Sequence, residues 1–140
     1  MYQVFCLGGE KMNLNLVRNI LLRLDKMKVG ESILIDDLNK EFENVNSDDF
    51  LTLISKLASR YYVRIDGKWS HELYNLEKYN KILGLDKDGL EAIDYIKNDK
   101  IWEKVQNYLN ENDYNDFTIF TVVELSKKLI NKEFENILNK

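Results

Sequence analysis

The sequence predicts an α+β, mostly helical chain: a winged helix-turn-helix with a C-terminal helical extension. Helical apolar periodicity governs most of its length, and β-forming residues gather at only a few places, chiefly 33–35 and 61–69. With no proline and 6 glycines, little interrupts a helix and no proline-rich linker separates two domains. At 140 residues one core suffices, and 44% hydrophobic with 31% charged side chains is the composition of a chain that folds alone. The expected organisation is a non-native or flexible arm over 1–11 and a single domain over 12–140. Within that domain, 12–85 is the winged-helix core and 86–140 the helical extension.

The arm is set apart because no helical or strand period joins it to the amphipathic pattern that begins after Met12. Gly8-Gly9-Glu10-Lys11 is also encodable by a purine-rich string resembling a bacterial ribosome-binding site just before the Met12 codon. The reading is a misassigned start, with a short genuine arm as the alternative. No function is attached to Cys6.

From Asn13, Leu14, Val17, Ile20, Leu21, Leu24 and Met27 make one face of a helix that Gly30 stops. Arg18, Arg23 and Lys26 lie opposite, and the last two complement the helix dipole. Ile33-Leu34-Ile35 reads as a short strand, and Asp36 as the cap of a short helix through Phe42. Ser47 caps a third helix with acidic Asp48 and Asp49 in its first turn and a buried stripe of Phe50, Leu53, Ile54 and Leu57. It ends near Arg60, where Tyr61, Tyr62 and Val63 begin a strand leading to the Asp66-Gly67 hairpin signal. The returning strand is either 69–73 or 82–85. Helix, short strand, helix, helix, hairpin is the order of a winged helix.

Beyond the turn-and-cap cluster 84–89, Leu90, Ile93 and Ile96 mark another helix. Asp99 caps the next, which carries Ile101, Trp102, Val105, Tyr108 and Leu109. The last helix, from about Phe117 to Leu138, has apolar residues around much of its axis. Phe117, Phe120 and Val123 are therefore a candidate dimer interface.

Residues 12–25 resemble the N-terminal signature of the domain-of-unknown-function 2513 family. Ile82-Leu83-Gly84-Leu85 with Gly89 is similar to that family's strand-turn-helix segment, and Ile96-Lys97-Asn98-Asp99 with Trp102 to its Ile, acidic, Trp pattern. Asp86 stands where the pattern has Thr, and Leu90-Glu91 where it often has His-Glu. The resemblance spans about 12–129 and implies a winged-helix-like protein of prophages and plasmids. It carries over no functional residues.

Chemistry is expected to be absent: catalytic residues none, metal none, cofactors none. His71 is the only histidine, and neither a Cys-x-x-Cys nor a Ser-His-Asp set can be built around it. The 86–89 segment lacks the acidic residue that closes a calcium loop, so helix capping is the expectation there. One cysteine points to a reducing, cytoplasmic compartment, and no apolar run has the length of a membrane span. A charge of -4 means that nucleic-acid binding needs a local basic patch.

The candidate partner-binding surface is Thr52, Ser55, Lys56, Ser59 and Arg60, facing outward on the third helix, with Arg64, Lys68 and Trp69 of the wing. Asp48 and Asp49 at the helix start oppose DNA, so a protein partner is favoured, which includes inhibition of a host defence complex. The alternatives are a dimeric DNA-binding transcriptional regulator and a structural or assembly protein.

Overall fold

The computed structural model describes residues 14–66, 76–111 and 119–138. In chain order they form α1 (Leu14–Asp25), β1 (Ile33–Leu34), α2 (Ile35–Lys40), α3 (Ser47–Ser59), β2 (Val63–Ile65), β3 (Lys81–Leu85), α4 (Lys87–Ile96), α5 (Asp99–Glu111) and α6 (Ile119–Leu138). The chain is mostly helical with one antiparallel sheet of order β1-β3-β2. Ile33 pairs with Ile82 and Leu34 with Lys81. On the other edge of β3, Val63 pairs with Leu85 and Arg64 with Gly84, with a bulge between Arg64 and Ile65.

The returning strand is thus the later of the two alternatives, and the alternative at 69–73 lies outside the described residues. Because residues 66–80 connect β2 to β3, Asp66-Gly67 is not a two-residue turn between them. Asp66 instead anchors the start of β3. Its N–H donates to the Lys81 carbonyl at 2.9 Å, and its Oδ1 accepts from the Lys81 N–H at 2.8 Å and Asn80 Nδ2 at 3.3 Å. The Lys81 hydrogen bond leads in holding this carboxyl below its ordinary pKa.

Two caps sit one residue earlier than the sequence suggests. Asn46, not Ser47, caps α3 by accepting from the Asp49 N–H at 2.8 Å. Asn98, not Asp99, accepts from the Ile101 N–H at 3.0 Å at the start of α5. Each pair offers two good capping types in a row, and the side chain placed to reach the third helical N–H wins. Likewise α2 begins at Ile35, with no side-chain cap, so Asp36 lies in its first turn. Helix α1 stops at Asp25, well before Gly30, whose φ of 89° belongs to the following turn.

Two compact units are distinguished. One runs Arg23–Glu91, and the other joins the described residues before Arg23 to those after Glu91. In the first, Leu38 of α2, Phe50, Leu53, Ile54 and Leu57 of α3, and Val63, Ile82 and Leu85 of the sheet are buried. Arg23 ties the end of α1 to the residue after α2 through a two-pronged ion pair, Nε to Glu41 Oε1 at 2.8 Å and NH2 to Oε2 at 3.2 Å. This bond raises the guanidinium pKa. In the second unit α5 packs on α6, burying Ile101, Trp102, Val105, Leu109, Ile119, Val122 and Val123.

Candidate partner-binding site

The C-terminal end of α3 is closed by two bonds, Tyr61 N–H to the Ala58 carbonyl at 3.1 Å and Tyr62 N–H to the Leu57 carbonyl at 2.9 Å. This is the double closure that normally employs glycine, because the residue after the cap must turn left-handed. Here that residue is Tyr61, with φ 65°. The conformation costs an L-residue on the order of 1–2 kcal/mol. From this point the chain enters β2. The Tyr61 and Tyr62 carbonyls accept from the Asp88 and Asp86 N–H groups respectively, both at 3.0 Å, docking the start of α4 against the turn. Asp86 also accepts from the N–H of Lys87, the first residue of α4, through Oδ1 at 2.8 Å.

Gly89 is what permits this approach. A Cβ built on it would overlap the Tyr62 carbonyl oxygen, a backbone atom that cannot swing aside. Gly84, with φ 136°, lies in β3 opposite Arg64, whose guanidinium would be 3.9 Å from a Cβ there. On the exposed side Lys87 places its ammonium 5.2 Å from the centre of the Tyr61 ring.

Of the candidate residues, Arg60 and Arg64 are exposed, and Thr52, Lys56 and Ser59 are half-buried. Two hydroxyls are turned onto their own helix: Thr52 Oγ1 donates to the Asp48 carbonyl at 3.0 Å and Ser59 Oγ to the Lys56 carbonyl at 2.9 Å. Ser55 does not face outward. It is 5% exposed, because the buried arc of α3 reaches past Ile54 to Ala58, which lies nearly one turn beyond Ser55 on the same side. Lys68 and Trp69 lie outside the described residues, as does Phe117.

On α6, Val123 is 5% exposed and so is covered by its own chain, whereas Phe120 is 64% exposed. Farther along, Phe134, Ile137 and Leu138 are all exposed. Leu90, expected in the buried stripe of α4, is also exposed, because the buried face runs through Gly89, Ala92, Ile93 and Ile96.

Sequence reasoning misses two features. Tyr61, Tyr62 and Val63 read as the start of a strand, and the one signal against this is that no glycine follows a helix ending at Arg60. The second is Arg18, assigned to a solvated face. Its Nε donates to the Ile96 carbonyl at 2.7 Å, and its NH2 reaches the Lys97 carbonyl at 3.3 Å and Asp99 Oδ1 at 2.7 Å. Its guanidinium carbon lies 5.0 Å from the centre of the Trp102 ring, and the Trp102 indole N–H donates to Asn15 Oδ1 at 2.9 Å. Arg18 thus occupies the terminal carbonyls of α4 and covers the tryptophan of α5. Asn15, Arg18, Ile96, Asp99 and Trp102 all belong to the segments that carry the family resemblance, so those segments are accounted for by architecture.

Among the described residues no helix is long and apolar enough to cross a membrane. A family model described as "Hypothetical protein (DUF2513)" matches residues 11–115. No curated protein and no solved structure matches the chain.

Proposed function

The chain belongs to the DUF2513 family, and we propose that it is a non-enzymatic accessory protein of a mobile genetic element that binds a macromolecular partner through a winged-helix surface. The observation that carries this reading is the element order α1-β1-α2-α3-β2-β3 with sheet order β1-β3-β2. It supports α3 as the recognition helix and β2-β3 as the base of the wing. The working surface is Arg60 and Arg64 with Lys56; Lys68 and Trp69, assigned to it from the sequence, lie outside the described residues. The protein acts in the cytoplasm, and inhibition of a host defence complex is one form the activity takes.

A protein partner is favoured over DNA for two reasons. Asp48 and Asp49 place carboxylates at the α3 N-terminus, the end that normally approaches bases and phosphates. The Thr52 and Ser59 hydroxyls are bonded to carbonyls of their own helix and Ser55 is buried, which leaves few polar side chains to read base edges. The second reading, a dimeric DNA-binding regulator, draws on exposed Phe120, Phe134, Ile137 and Leu138, which suit a second copy of α6.

Affinity purification of the full chain from its native host, with mass spectrometry and nucleic-acid sequencing of the eluate, tests the choice. A co-eluting protein that survives nuclease treatment is expected. DNA released by moderate salt, with no protein partner, would favour the regulator instead.

A further inference from the structure

Tyr61 occupies a position where glycine would close α3 with the same two hydrogen bonds and no left-handed strain. Burial does not explain the tyrosine, since it is 47% exposed. Side chains of one kind of use lie close to it in the chain and on the start of α4 docked against it. Lys87 covers one part of the ring at 5.2 Å, and Leu90, three residues on and 57% exposed, shares that face of α4. Arg60 precedes Tyr61 and Arg64 follows on β2, both exposed, and neither has an ion-pair partner among the described residues. Of the nearby acids, Asp86 is engaged at the α4 N-terminus and Asp88 is half-buried, which leaves Glu91, one turn from Lys87 on α4, as the exposed carboxylate at the edge of the surface.

We infer that Tyr61, Arg60, Arg64, Lys87 and Leu90 form a docking surface for a segment of a partner protein that carries carboxylates beside apolar or aromatic side chains. An aromatic and a leucine supply the apolar centre, and three cations supply the rim that an acidic segment complements. Tyr and Arg are also the types that dominate protein hot spots. Single-stranded nucleic acid would use the same ring and cations, but exposed Leu90 at the centre of the surface offers an apolar contact and no plane on which a base stacks. The inference rests on the partner-binding reading and names the chemistry of that partner.

The test measures fluorescence anisotropy of a labelled Glu-Tyr copolymer, and separately of labelled oligothymidylate, against the full chain, Tyr61→Gly and Arg60→Glu/Arg64→Glu. Tyr61→Gly is expected to raise the melting temperature while weakening copolymer binding about tenfold, and the double variant to remove it. Opposite signs on stability and binding are what a merely structural tyrosine would not give. Copolymer binding unchanged by Tyr61→Gly, or a lowered melting temperature, overturns the inference, as does preferential binding of oligothymidylate. If a co-purifying protein is found and its capture is unaffected by Tyr61→Gly, the partner-binding reading stands and this surface falls.

Discussion

Two of the cation-aromatic pairs, one taken from each unit, set a cation at a similar distance from a ring and are used differently. Arg18 lies over Trp102 at 5.0 Å and Lys87 over Tyr61 at 5.2 Å. In the first, the polar atoms are engaged: the guanidinium holds α4 carbonyls and Asp99, and the indole N–H holds Asn15. Trp102 is 6% exposed, so its large apolar area is removed from water. In the second, the aromatic is half in solvent and sits on a strained backbone. A cation over an aromatic ring thus serves as a joint in one place and remains available as a surface in the other. Burial and backbone geometry separate the two.

The largest effect expected from this contrast is between the aromatics. Trp102→Ala should cost about 3–5 kcal/mol, whereas Tyr61→Ala, which keeps the left-handed strain and removes a ring only half buried, should cost about 1–2 kcal/mol. Urea unfolding of both variants checks this, and similar losses would erase the distinction.

Gly89→Ala comes next. Helix propensity alone would favour alanine by about 1 kcal/mol, but the overlap with the Tyr62 carbonyl should make the net change a loss of about 1–3 kcal/mol. A gain in melting temperature would mean that α4 approaches the turn less closely. The cations should differ by less: Arg18→Ala is expected to lose about 1–3 kcal/mol because it strands hydrogen-bonded carbonyls, and Lys87→Ala under about 0.5 kcal/mol.

The smallest effect is a pH dependence. Asp66 has a lowered pKa in the folded chain, so its contribution is present above the ordinary carboxyl value and is lost as pH falls through the lowered one. Melting temperatures between about pH 2 and 5 should fall less steeply for Asp66→Asn than for the unaltered chain. Parallel curves would show that the Lys81 bond does not matter to stability.

Helical stripes are the most legible part of the sequence, since Val17, Ile20 and Leu21 or Phe50, Leu53 and Leu57 need only local spacing to declare a buried face. The returning strand is not, because two apolar runs compete and only long-range pairing with Ile33 and Val63 chooses Lys81–Leu85. The site is half legible. Arg60 and Arg64 are exposed as expected, but Ser55 is hidden by the width of the buried arc, and nothing local announces a left-handed tyrosine. Arg18 escapes for a related reason: its partners lie 78 to 81 residues away, beyond the reach of any periodicity.

That separation also orders events in time. The Arg23–Glu91 unit is one continuous stretch, whereas the other unit is assembled from both sides of it. At a synthesis rate of about 5–20 residues per second, Arg18 waits roughly 4–16 s for Asp99 to be made. During that interval Leu14, Val17 and Leu21 of the nascent chain lack the α5 and α6 residues of their unit. A growing chain in this state holds Asn15 and Arg18 without Trp102 and Asp99, their partners, while the intervening stretch is already synthesised.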